Sequence, residues 1–213
     1  MSLSSIERLL RTGYLEVHTD NEQLRSIPTI GLVGHLGSGK ETVAEILSKH
    51  FNFVNFPISQ ILRELAQAKG HSPHTNRETL GQISSQLVNQ YGSNAIISIS
   101  YDLIKNYHAL VPIRGAIIDG IRHLGETEGL KRIPNNVLIG VRTARETCFK
   151  RLTVRNRPGD ITSYEEFTRM ADLEEQWLTP IFELADVVFD NNGSLEELEK
   201  QVIAYFSKKS GQG

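Results

Sequence analysis

The sequence is poor in sulfur and indole. It contains one cysteine, two methionines and one tryptophan. A lone cysteine, Cys148, excludes an internal disulfide framework and points to a reducing, cytoplasmic compartment. No apolar run is long enough to cross a bilayer, and the N-terminus has no signal-peptide hydrophobic core. Neither sign of charge dominates: 23 Lys and Arg stand against 25 Asp and Glu, a net charge of −2. That balance argues against a nucleic-acid or membrane-surface protein. There is no internal repeat and no low-complexity linker. No Asn-Lys-x-Asp run is present to read a guanine, which argues against a GTPase. With 39% hydrophobic and 23% charged residues over 213 positions, the chain reads as one ordinary globular domain.

What is present centres on one stretch, Gly34-His35-Leu36-Gly37-Ser38-Gly39-Lys40-Glu41-Thr42. Glycine, four residues, glycine, lysine is the spacing of a phosphate-binding P-loop. The β-rich run Thr29–Val33 precedes it, and Val43, Ile46 and Leu47 follow at helical spacing. A loop so placed turns backbone N–H groups inward around phosphate oxygens. The helix N-terminus adds partial positive charge and Lys40 a full one. The residue after the lysine, where a Ser or Thr hydroxyl usually meets Mg²⁺, is Glu41. The hydroxyl comes one place later, at Thr42.

Residues 1–26 form an N-terminal extension in which Ile6, Leu9 and Leu10 have helical spacing. From there strand and helix patterns alternate, which predicts an α/β fold with a parallel sheet. Strands are predicted at Thr29–Val33, Phe53–Phe56, Ala116–Asp119, Asn136–Val141 and Asp186–Asp190. Pro57 is expected at the first position of a helix with Ile58, Ile61, Leu62 and Leu65 on its buried face. Thr75…Glu78, Ser163…Glu166 and Ser194…Glu197 have capping-box spacing. Leu80, Ile83, Leu87 and Val88 mark one buried stripe, and Leu195, Leu198, Val202 and Phe206 another. The run Leu173–Phe182 with Trp177 reads as core or lid support, and Cys148 as a buried helix residue. His71 and His74 flank a proline with no cysteine or carboxylate cluster nearby, and do not read as a zinc site. Pro158-Gly159-Asp160 breaks an arginine-rich helix, and Ser207–Gly213 reads as a frayed tail. About fifty mostly helical residues separate the second and third strands, where one helix would suffice. This insertion, 57–108, reads as a substrate-binding flap.

Four segments carry a family resemblance. They are Gly34–Thr42, Ile117-Ile118-Asp119-Gly120-Ile121-Arg122, the arginine-rich Cys148–Asp160, and Ala185–Ser194. Together they resemble small P-loop kinases of the nucleoside monophosphate kinase superfamily, nearest to dephospho-coenzyme A kinases and deoxynucleotide kinase-like proteins. The resemblance covers about residues 27–207. It implies a three-layer α/β P-loop NTPase fold with a helical acceptor flap and an arginine-rich lid at 142–163, in a domain spanning 27–213. It further implies ATP and Mg²⁺ as cofactors and transfer of the γ-phosphoryl to a small nucleotide-like acceptor. A nucleoside monophosphate is the first choice of acceptor, and a ribose hydroxyl of dephospho-coenzyme A the second. A nucleotide-binding regulator with little turnover is the rival reading. Monomer and homodimer both stay open.

The resemblance also assigns roles. Gly34, His35, Gly37, Ser38, Gly39, Lys40, Glu41 and Thr42 would cradle the ATP phosphates. Arg151, Asn192 and Gly193 would complete the nucleotide site. Lys40, Asp119, Arg155 and Arg157 would be catalytic, with Asp119 and Thr42 toward Mg²⁺, directly or through water. Arg63, Arg77 and Arg122 would meet the acceptor. Such a set suits phosphoryl transfer, in which the protein positions two partners and neutralises charge spread over the moving group. Arginine's planar fork binds phosphate at two points and stays charged.

Overall fold

Short apolar strands joined by helices bury both faces of a central sheet. The computed structural model describes residues 27–72, 75–157 and 160–210, with side chains through 208. The strands are β1 (Thr29–Val33), β2 (Phe53–Pro57), β3 (Gly115–Ile121), β4 (Asn136–Arg142) and β5 (Val187–Asp190). All pairings are parallel, in the order β2-β3-β1-β4-β5. Among the described residues the helices are α1 (Lys40–Phe51), α2 (Ile58–Ala68), α3 (Arg77–Tyr91), α4 (Ala95–Leu110), α5 (Leu124–Lys131), α6 (Arg145–Arg155), α7 (Tyr164–Glu183) and α8 (Leu195–Ser210).

Successive side chains of a strand point to opposite faces, and two cores result. Ile30, Leu32, Ile117, Ile139 and Val141 pack with Val43 and Leu47 of α1 and Leu198, Val202 and Phe206 of α8. Val33, Ile118 and Leu138 pack with α2, α4, α5 and α7, through residues such as Leu65, Ile96, Ile104, Leu130 and Ile181. A smaller cluster of Leu36, Cys148, Leu152, Phe167 and Ala171 lies under the P-loop. The three-layer α/β P-loop fold expected from the sequence is therefore present.

Several local expectations are corrected. Pro57 is extended (φ −68°, ψ 127°) and closes β2 opposite Asp119, so α2 begins at Ile58. An edge strand tolerates a residue without an N–H. Strand β3 runs past Asp119 to Ile121, with a register shift at Leu32/Val33 where Gly120 has φ 100°. Asn76, not Thr75, caps α3: its side chain accepts the Thr79 N–H at 2.9 Å. The Ser194–Glu197 box forms in both directions. Leu195 is 61% exposed, because the first turn of α8 stands beyond the layer that covers Leu198. Val88 is half-buried. The buried stripe of α7 is Phe167, Ala171, Glu174, Leu178 and Ile181, so Leu173 and Trp177 lie on its exposed flank. Helix α8 continues through Ser210. The expectations for residues 1–26, Pro158-Gly159, His74 and the last three residues lie outside the described residues.

Candidate active site

The P-loop leaves the C-terminal end of the middle strand. There the chain after β1 runs toward β2 while the chain after β4 runs toward β5, and such divergence opens a crevice in a parallel sheet. Gly37 and Gly39 have φ of 80° and 93°, the left-handed region. A Cβ on Gly39 would stand 2.1 Å from Asn191 Nδ2, and one on Gly37 2.5 Å from the Cys148 carbonyl oxygen. Lys40 is folded onto its own loop: Nζ donates to the carbonyls of Gly34 (2.6 Å) and His35 (2.9 Å). Burial pushes the Lys40 pKa down, and the Asp119 carboxylate works against that.

Asp119 is 9% exposed, and its Oδ1 is buried without a hydrogen-bond partner. Burial raises its pKa, Lys40 opposes the rise, and Glu41 adds to it. Asp119 lines a cleft of about 720 Å³ that Glu41, Arg63 and Arg157 also border. Thr42, half-buried on α1, is not part of that lining. Of the polar α1 groups that do border the cleft, Glu41, Glu45, Ser48 and Lys49, the Glu41 carboxylate is the one whose charge acts on Asp119. A second, shallow depression of about 820 Å³ along α7, bordered by Tyr164, Arg169 and Asp172, carries none of these groups.

The arginines at and just beyond the end of α6, Arg155 and Arg157, are engaged by acids. Arg157 Nη1 lies 2.8 Å from Glu41 Oε1, and Arg155 Nη1 3.7 Å from Glu41 Oε2. Arg155 also grips Asp160 with two hydrogen bonds, at 3.0 and 2.7 Å. Burial resists the ionisation of Glu41, but the Arg157 hydrogen bond and charge prevail and hold its pKa below the usual range. Arg77 opens to solvent yet is flanked by protein. That burial and the neighbouring Arg122 guanidinium push its pKa down to about 10, with Glu174 and Asp160 opposing.

On the far side of the loop, Asn191 is 4% exposed and donates from Nδ2 to the Ser38 carbonyl at 2.8 Å. Thr143 Oγ1 donates to the same carbonyl at 2.9 Å. Arg151 donates to the Asn191 carbonyl at 3.0 Å, and its Nη1 is buried without a partner. Asn192 is turned toward α6, accepting the Ala144 N–H at 2.7 Å. Gly193 packs against Glu197.

Two functional candidates are not apparent from the sequence pattern. One is Asn191, the neighbour of Asn192. The other is Glu174, 5% exposed in the apolar stripe of α7. Its carboxylate meets Arg122 Nη1 at 3.2 Å and His35 Nδ1 at 3.4 Å. Glu175 meets the other ring nitrogen of His35 at 3.0 Å. Burial alone would raise the Glu174 pKa, but the His35 hydrogen bond and the Arg122 and Lys40 charges hold it at about 2. His35 therefore faces α7. A sequence signal existed: a glutamate spaced as a core residue implies a buried partner. Glu126 is a third buried acid. It accepts the backbone N–H groups of Arg122 (2.7 Å) and His123 (3.1 Å) and sets the turn after β3.

These donors and acceptors fit the groups the fold calls for. The loop N–H groups, Lys40 and the unpartnered Ser38 Oγ and Arg151 Nη1 suit a polyphosphate. Asp119 Oδ1, an acceptor without a donor, suits a divalent cation or one of its waters.

The parallel α/β fold and its glycine-rich loop together define a protein of the P-loop NTPase class. The chain belongs to the family described as AAA domain, whose model matches residues 30–171, and groups with the UPF0200 proteins. A UPF0200 protein of Hyperthermus butylicus is 31% identical over 185 residues, covering 85% of this chain and 95% of that one. Another, from Staphylothermus marinus, is 29% identical, covering 78% and 84%. Among solved structures, shikimate kinase from Bacteroides thetaiotaomicron superposes with a TM-score of 0.55 at 12% identity, covering 84% of this chain and 98% of that one. At that identity the likeness shows the fold alone.

Proposed function

We propose that this protein is an ATP- and Mg²⁺-dependent phosphotransferase acting on a nucleoside monophosphate or a related nucleotide-like acceptor. The observation that carries this reading is Asp119. Its unpartnered, buried carboxylate oxygen stands before the P-loop lysine, in a cleft bordered by Arg63 and Arg157. The P-loop would hold the β- and γ-phosphates, with Lys40 leaving the Gly34 and His35 carbonyls for the transferred group. Mg²⁺, when bound, supplies charge neutralisation between the phosphates. Asp119 would hold it or one of its waters. Arg63, Arg77 and Arg122 would receive the acceptor's anionic group, and Arg155 and Arg157 would neutralise the moving phosphoryl. Residues 57–108 and 142–163 would be the acceptor flap and the lid. All three helices of the first segment, α2, α3 and α4, contribute buried residues to one core.

A second reading, phosphorylation of a ribose hydroxyl as in dephospho-coenzyme A, draws on the raised pKa of Asp119, since a hydroxyl nucleophile gains from a nearby base. The regulator reading draws on Glu41, which occupies the lid arginines with a carboxylate of the chain's own.

The test is ATP-to-ADP turnover with Mg²⁺ across AMP, CMP, UMP, GMP, their deoxy forms and dephospho-coenzyme A. Strong stimulation by one acceptor is expected and would select among the readings. Lys40→Ala should lower that turnover by orders of magnitude with the fold intact. Unchanged turnover in the variant would refute the P-loop mechanism.

A further inference from the structure

We propose that Glu174 is a positioning residue that couples the P-loop to the acceptor arginine Arg122. The inference rests on the reading of the P-loop as the nucleotide site and of Arg122 as part of the acceptor side. One buried carboxylate spans both: Oε2 faces His35, the second residue of the loop, and Oε1 faces Arg122, at the end of β3. Its carrier, α7, is anchored in two cores, by Phe167 and Ala171 on one side and Leu178 and Ile181 on the other. Glu174 is thus fixed in place while its two partners are held at the mouth of the site.

The loop has a defined reason to move. Lys40 donates to the Gly34 and His35 carbonyls. A phosphate seated among the loop N–H groups competes for that ammonium, and charge-assisted bonds to phosphate are the stronger kind. When Lys40 turns to phosphate, the His35 carbonyl loses its donor, and the backbone that carries the His35 ring relaxes. The ring is gripped by Glu174 and Glu175, so the change loads the carboxylate that also holds Arg122. The phosphate's own charge acts in the same sense, drawing Lys40 and Arg122 away from Glu174. Occupying the nucleotide loop therefore readies Arg122 for an acceptor anion. By linkage, the acceptor strengthens nucleotide binding by the same factor.

The chain carries its own reporter. Trp177 is the sole tryptophan, three residues beyond Glu174 on α7. Its ring lies 6.2 Å from that of His123, the neighbour of Arg122 in the turn that Glu126 holds. The experiment titrates the full-length protein with Mg·ADP, following tryptophan emission and, in parallel, calorimetric heat. In the wild type, binding should shift the emission. Glu174→Gln should bind Mg·ADP by calorimetry yet lose the emission shift. Glu174→Asp, which keeps the charge but is one methylene too short to reach both His35 and Arg122, should behave in the same way and guards against a variant that simply fails to fold. An emission shift retained in either folded variant overturns the inference. So does Mg·ADP binding to the wild type without any emission change. If calorimetry shows no Mg·ADP binding to the wild type, the nucleotide-site reading falls, and this inference with it.

Discussion

Glu41 takes the place where a hydroxyl would be expected, and replacing it with glutamine separates two accounts of what it does. In the structure the carboxylate holds Arg157 at 2.8 Å and Arg155 at 3.7 Å. The side chains of Glu41 and Arg157 are 52% and 55% exposed, so solvent screens the pair. Exposed ion pairs contribute about 0.2–1 kcal/mol. Breaking this one should barely change the melting temperature. It should, however, free the Arg157 guanidinium, which ATP must otherwise win from the carboxylate, while Asp160 still holds Arg155, and it removes a negative charge beside the phosphate loop. If the whole pair energy passes to the ligand, Mg·ATP should bind Glu41→Gln about 1.4- to 5-fold more tightly, at about 1.4 kcal/mol per factor of ten. Titration calorimetry at low salt measures this. The gain should shrink toward 1 M salt, where the Debye length is about 3 Å. The competing account makes Glu41 a direct Mg²⁺ ligand. It requires Glu41→Gln to weaken Mg·ATP while leaving metal-free ATP unaffected. That pattern would refute a role for Glu41 as competitor for the lid arginines.

Two other expectations concern the framework around the loop. Asn191→Ala removes a buried donor to the Ser38 carbonyl and loosens Arg151. Thr143 still donates to that carbonyl, so the cost should be that of one hydrogen bond, about 0.5–1.5 kcal/mol. At roughly 2–4 °C per kcal/mol for a domain of this size, thermal melting should show it. The second concerns acid. The Glu174 carboxyl lies at about 2 in the fold against an ordinary 4.5. A depressed carboxylate stabilises the fold fully above its unfolded pKa and loses that contribution as pH falls toward the folded one. The window is therefore from about pH 4.5 down to about pH 2, and the contribution is of order 3 kcal/mol. Denaturant midpoints measured across that window should fall for the wild type. Glu174→Gln should lack that part of the slope, and parallel curves would contradict the assignment.

Much of the site was legible because its parts are local in the chain. The P-loop glycines, Lys40 and the first turn of α1 are contiguous, and their job is done by backbone geometry that glycine permits. Asp119 was recognisable as the polar end of an apolar run, although the bulge at Gly120 that continues β3 to Ile121 was not. Arg155 and Arg157 stood out by composition. Their shared partner Glu41 did not, since it is more than a hundred residues away, although Asp160, which holds Arg155, is near in the chain. The misplacements share a cause. Leu195 and Trp177 have apolar side chains near core spacing, but whether another layer covers them is decided by neighbours distant in sequence. Asn191 and Asn192 are chemically identical, and only the packing of the loop after β5 turns the first toward Ser38 and the second toward α6.

By itself the sequence determined the class of protein: an alternating pattern of strands and helices, with a phosphate loop at the first junction and arginines after the fourth strand. Those features depend on side-chain periodicity and on backbone freedom within a few residues. Only the tertiary structure decided which charges meet. It set Glu41 against Arg155 and Arg157 and Glu174 between His35 and Arg122, because an ion pair forms wherever the fold brings two groups within about 4 Å. The first proximity belongs to the packing of α1 beside the end of α6 and the second to that of α7 against the sheet, and no spacing along the chain encodes either.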